Sequence, residues 1–124
     1  MTDDLQVLQG TWKQIAYERD GVKEPLDEQG WEPRVTFVGN TFVVTLADGS
    51  CPIKGTFKLD PTRGPKALDF SDNYGEDAGK TFLAIYSLDA ECFTFCAADE
   101  GLERPTEFKT VRGQVLRVHR REAT

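Results

Sequence analysis

Acyl-transfer or hydrolytic chemistry on a Ser or Cys nucleophile needs a base beside it, and this sequence holds a single histidine, His119. Strand alternation around His119 predicts that it points outward, cross-strand from Glu107. There it makes a surface pair rather than a catalytic dyad or an axial haem ligand. Three cysteines, Cys51, Cys92 and Cys96, leave at least one thiol unpaired. Cys92 and Cys96 share one extended run and stand about 13 Å apart, beyond disulfide reach. With one histidine they do not make a zinc cluster either, and small buried hydrophobes are the expectation. Free thiols fit a reducing compartment, so a cytoplasmic location is expected. The acidic pairs Asp27-Glu28, Glu76-Asp77 and Asp99-Glu100 lie in loops without the alternating ligand spacing of a calcium site, and read as solvated turns. Arg112, Arg117, Arg120 and Arg121 form a basic patch. It can seat an anion or an acidic partner, or it can simply discourage edge pairing of a charged last strand. None of this predicts an enzyme, a cofactor or a metal.

The elements that must position these residues follow from length and pattern. The chain has 124 residues, one domain's worth, with 15 basic against 21 acidic side chains and a net charge of −6. An acidic chain gains nothing from phosphate backbones, so no nucleic-acid partner is expected. No apolar run approaches a membrane span, and Met1-Thr-Asp-Asp-Leu5 lacks the basic and apolar regions of a signal peptide. Eight Phe, three Tyr and two Trp can build a substantial core.

Residues 2–10 read as a capped helical turn stopped by Gly10, with Leu5 and Leu8 on one face. Beyond it, turn signals alternate with short extended runs, the spacing of an antiparallel sandwich or barrel. Gly39-Asn40 closes a hairpin that sets Phe37 opposite Phe42 and Val35 opposite Val44. Asp48-Gly49 closes the next and sets Ile53 opposite Val44. Cys51, Ile53, Gly55, Phe57 and Leu59 then alternate inward, followed by Leu68 and Phe70. A turn at Asp89-Ala90 pairs Tyr86 with Phe93 and Ala84 with Phe95, leaving an outer strip of Leu83, Ile85, Cys92 and Cys96. A closure at Arg112-Gly113-Gln114 pairs Phe108 with Val118 and Thr110 with Leu116 inside, and puts Glu107, Lys109, Arg117 and His119 outside. All eight Phe then share one face. Two longer loops, Asp20–Pro33 and Ser71–Lys80, interrupt the hairpins. Eight strands with one apolar face remove their edges by closing. In the first strand strict alternation fails, and a β-bulge near Lys13-Gln14 would turn Trp12, Ile15 and Tyr17 all inward. Regular alternation would instead bury Gln14 and Glu18 and suggest a polar site.

The segment Gly10-Thr11-Trp12, after a helical turn, resembles the entry to a lipocalin-type barrel. In that superfamily the Trp plugs the closed end and an Arg of the last strand packs across it. The resemblance therefore implies structural roles for Trp12 and for Arg120 or Arg121, Arg121 preferred. More closely, the chain is similar to an uncharacterised bacterial family of lipocalin-like domains. The similarity runs through Leu8-Gln-Gly-Thr-Trp-Lys13, Gly55-Thr-Phe-Lys-Leu-Asp-Pro61, Pro65-Lys-Ala-Leu-Asp69, Ile85-Tyr86 and Arg104-Pro-Thr-Glu-Phe108, from about Leu8 to Glu122. It departs at Ala84, where the family usually has Gly. It implies an all-β, eight-stranded antiparallel up-and-down barrel with a short N-terminal helical turn, and no reaction.

Such barrels fill with side chains or hold one small ligand. The expected function is non-enzymatic binding of a small apolar ligand, contacted by Phe37, Phe42, Val44, Phe57, Phe70, Tyr86 and Phe95. The interior is expected to be largely filled, with a modest pocket at the end away from Trp12, under the long loops. The alternative is a scaffold or interaction module with a filled core, associating weakly with itself through Leu83, Ile85, Cys92 and Cys96. An enzyme ranks third and would need Gln14, Glu18 or Tyr86 converging inside.

Overall fold

A computed structural model describes residues 4–24, 33–46, 49–51, 53–74 and 78–122. One short helix, α1 (Asp4–Leu8), precedes β1 (Gly10–Arg19), β2 (Val22–Glu24), β3 (Arg34–Val38), β4 (Thr41–Thr45), β5 (Ile53–Asp60), β6 (Ala67–Tyr74), β7 (Thr81–Leu88), β8 (Cys92–Ala98) and β9 (Gln114–Arg121). All pairings are antiparallel. Strands β3 to β9 follow one another in order, and β1 pairs with both β3 and β9. Eight strands thus form a closed up-and-down barrel, with β2 appended to the upper end of β1.

The Gly39-Asn40 hairpin sets Phe37 against Phe42 and Val35 against Val44, and Val44 faces Ile53 across the next pair. Asp48, half of the second expected turn, lies outside the described residues. In β5 the outward lysines and inward apolar residues alternate as the register requires. Gly55 is where another backbone comes closest. A Cβ there would meet the Ser71 carbonyl oxygen at 2.0 Å and the Phe42 ring at 2.8 Å. A bulge at Lys54/Gly55 accompanies this approach.

Several expectations need correction. The loop expected from Asp20 contains a strand: Asp20-Gly21, with φ of 53° and 84°, makes a tight turn that pairs Arg19 with Val22. Likewise β6 runs on to Tyr74, so Ser71–Tyr74 is strand rather than loop. In the β7–β8 hairpin Tyr86 faces Phe95 and Ala84 faces Ala97, two residues from the expected register. The cause is local: the Asp89 carboxylate accepts the N–H groups of Glu91 and Cys92, and this side-chain-built turn spans four residues rather than two. A two-residue slip leaves every side chain on its expected face.

The largest correction concerns residues 99–113, which form no strand. Both edges of β9 are already occupied, by β8 and β1, so nothing remains for a strand at Phe108 to pair with. Phe108 is 40% exposed. The segment instead straps the outer wall. Arg104 forms an ion pair with Asp69 at 2.6 Å and donates to the Ala84 carbonyl, Thr110 donates to Glu18, and Arg19 pairs with Asp99. Within the outer strip Ile85 and Cys96 are buried, while Leu83 and Cys92 keep partial exposure.

In β1 the bulge falls at Ile15, between Gln14 and Ala16, one residue later than expected. Ile15 is consequently 47% exposed and Gln14 is buried. Beyond the bulge Tyr17 sits opposite Arg117 on the inner face, and Glu18 points out to Thr110.

The lower end is closed by α1. Leu8 and Trp12 are fully buried, and the indole Nε1 donates to the Leu8 carbonyl at 2.8 Å. The Arg121 guanidinium lies 4.2 Å over the Trp12 ring and donates to the carbonyls of Val7, Gln9 and Ala90. A cation on these helix-end carbonyls also meets the negative end of the peptide dipoles. Gly10, at φ 111°, leaves room for this contact, since a Cβ there would stand 3.1 Å from Arg121 Nη1. We expect Arg121→Ala to destabilise the protein by about 2–4 kcal/mol in urea unfolding. Arg121→Lys should recover little of that loss, because an ammonium cannot fan out to three carbonyls while stacking on the indole.

Candidate functional site

The barrel interior divides into two halves. In the lower half a continuous run of ring contacts starts at Trp12, which meets Phe93 at 6.0 Å. Phe93 in turn meets Phe37 at 5.7 Å and Phe95 at 5.7 Å. Phe37 packs edge-on against Phe57 at 5.2 Å. Of the expected ligand contacts, Phe37, Phe42, Phe57 and Tyr86 belong to the buried cluster. The Tyr86 hydroxyl donates to Asp4 on α1 rather than into the barrel, and with Lys66 nearby it holds the Asp4 carboxyl below its ordinary range. Higher up, Phe70 links Phe42, Phe82 and Phe95 at 5.1 to 6.0 Å. There Val44, Ile53, Phe70, Phe95 and Val115 face inward but are only partly buried, as are Leu59 and Leu88 toward the lower end.

Polar side chains enter this upper half from β1 and β9. The register opposes Gln14 to His119 and Tyr17 to Arg117, all on the face that carries Trp12 and Arg121. His119 therefore points inward, which corrects the outward placement expected from sequence. Its ring is 3% exposed, stacks on Phe93 and Phe95 at 5.5 and 5.7 Å, and sets Nδ1 3.3 Å from the Phe93 carbonyl oxygen. Arg117, also expected outside, lies inside. Its Nη1 donates to Gln14 Oε1 at 2.9 Å, and its guanidinium covers the Tyr17 ring at 4.4 Å. Burial pushes the Arg117 pKa down, with Tyr17 opposing that shift and Arg19 adding to it. Leu116 and Val118, expected inside, take the outer face instead.

No protein-family model matches this chain, and no curated protein is similar to it.

The inward β9 polar residues escaped the sequence reading because a strand reading Arg117, His119, Arg121 on one face looks like a solvated strand. The signal was nonetheless present. If Arg121 covers Trp12, residues two and four positions earlier must share its face. Glu18, Gln14 and Tyr86 do not converge: Glu18 is outside and the Tyr86 hydroxyl is engaged at the closed end. Among the described residues no group of three or more His, Cys, Asp or Glu is placed to hold a metal ion. No helix is long and apolar enough to cross a membrane. A recess of about 330 Å³ at the closed end, between Asp4 and Leu5 of α1, Asn40, and Lys58 and Leu59 of β5, is lined by mixed side chains.

Burial and the neighbouring Arg117 charge lower the His119 pKa to about 3. The unfolded chain titrates near the ordinary value of about 6.5 and takes up a proton that the folded protein refuses. Stability should therefore fall as pH drops below that value, by about 2 kcal/mol at pH 5 relative to pH 7.5. The carboxylates of Asp4, Glu18, Asp60 and Asp89, all held low chiefly by hydrogen bonds, lose their contribution only at more acid pH. Urea unfolding between these two pH values isolates the histidine, and His119→Phe should flatten that part of the profile.

Proposed function

We propose that the chain is a lipocalin-like protein that binds a small apolar ligand in the upper half of its barrel, without catalysis. The observation that supports this most directly is the cluster of partly buried apolar side chains on the inner face of the upper half, although Leu59 and Leu88 near the closed end also keep some exposure. Trp12, Phe93 and Tyr86 are almost wholly buried, whereas Val44, Ile53, Phe70, Phe95 and Val115 keep accessible surface. Apolar surface left open inside a barrel mouth is stabilised by an apolar guest. Val44, Phe70 and Phe95 are the proposed contacts, with Phe37, Phe42, Phe57 and Tyr86 forming the floor. The lipocalin-like reading rests on the Gly10-x-Trp12 entry and on Arg121 over the indole. A cytoplasmic location fits three free cysteines, with Cys96 buried. The aromatic fill of the lower half favours the second reading, a scaffold whose core holds no ligand.

The neutral probe N-phenyl-1-naphthylamine separates the two. Saturable one-to-one fluorescence uptake at micromolar concentration, lost in Phe70→Trp or Val44→Trp variants that fill the upper half, is expected. Absence of uptake by the folded protein leaves the scaffold.

A further inference from the structure

From the placement of Arg117 we infer that the ligand is an apolar acid, whose carboxylate pairs with this guanidinium inside the barrel while its hydrocarbon body lies among Val44, Phe70 and Phe95. This deepens the binding function proposed above and rests on it.

The argument starts from what Arg117 lacks. Arg117 is half-buried, and a cation taken even partly out of water is costly unless paired, for which proteins normally supply a carboxylate. Among the described residues none forms an ion pair with Arg117; its partners are the Gln14 carboxamide oxygen and the face of Tyr17. Both are neutral. Among the described residues only Nη1 finds an acceptor, and the Nε–Nη2 edge, the one that grips a carboxylate with two parallel hydrogen bonds, finds none. The nearest candidates are committed elsewhere. Asp99 pairs with Arg19 at the rim at 3.0 Å, and Glu18 lies outside, held by Thr110. Asp72, also buried, is on β6, three strands from β9 by way of β8 and β7, and forms no ion pair with Arg117.

Geometry supplies the rest. In the register Arg117 faces Phe95 of β8 on one side and Tyr17 of β1 on the other. Arg117 thus stands beside partly buried Phe95 on the inner face of the upper half. A charged head with an apolar body matches this juxtaposition, and a wholly apolar guest leaves the cation unsatisfied. Arg121 shows the contrast on the same strand, with three carbonyls accepting from it.

Fluorescent cis-parinaric acid and its methyl ester differ only in the head. The wild-type protein should bind the acid about 10- to 100-fold more tightly than the ester, the range of a charge-assisted pair. Arg117→Gln should reduce that ratio to near unity. Thermal melts distinguish an anchor from a structural residue: Arg117→Met combined with Gln14→Leu, which removes the charge together with the buried acceptor it serves, should raise the ligand-free Tm by about 3–6 °C. A fall in Tm would assign Arg117 to the fold and overturn the inference. Equal binding of acid and ester by the wild type, or an acid preference surviving in Arg117→Gln, would also overturn it and leave apolar binding standing. Uptake of neither probe would remove both.

Discussion

Everything in this barrel depends on one seam, the pairing of β1 with β9. It is the only contact that turns an open row of hairpins into a ring, and it is locked at its lower end by Arg121 across Trp12. The lock joins three pieces of chain. The indole is tied to the end of α1 through the Leu8 carbonyl, and Arg121 is tied to α1 and to the β7–β8 turn through Val7, Gln9 and Ala90. Closing the ring consumes both edges of β9. Residues 99–113, which carry enough apolar side chains to resemble a strand, therefore have no ladder to join. They satisfy themselves by strapping the outside, where Arg104 and Thr110 find partners on the wall.

Hairpin-local features were legible in the sequence because each is decided by a few adjacent residues. Gly39-Asn40 dictates its own turn, and the alternation of β5 leaves no other register. The β7–β8 hairpin was misread by two residues, since Asp89 builds its turn with a side chain rather than with backbone alone. The period of two made that error harmless to the interior. The β9 error was of another kind. It came from judging each residue by its polarity when the face of the strand is set by a contact 109 positions away, Trp12 to Arg121. Once that contact is accepted, His119 and Arg117 must point inward with Arg121. The eight Phe were a sound guide to the core except for Phe108, whose supposed strand does not exist.

The bulge in β1 connects the seam to the candidate site. The extra residue, Ile15, is ejected to the surface, and Tyr17 then returns to the inner face opposite Arg117. Without the bulge, alternation from Gln14 would send Tyr17 outward and bring Ala16 and Glu18 inside. A carboxylate on that face would meet Arg117 and neutralise it. The irregularity thus removes the one acidic side chain of β1 from the interior and gives the guanidinium an aromatic face instead.

The two arginines of β9 show what the inner face is built to do at each end. Arg121 has its charge spread over three carbonyls and an indole, an arrangement complete within the chain, and it closes the floor. Arg117, on the same face four residues earlier, has one carboxamide and one phenol ring. If stability alone were served, an apolar residue at that position would extend the aromatic packing upward from Phe95 and avoid desolvating a charge. Among the described residues no carboxylate pairs with this cation, and the proposed acid ligand is the partner that would complete it. The polar groups at the floor are satisfied from within, whereas Arg117 has only neutral partners among the described residues, and that difference is what the proposed acid ligand would exploit.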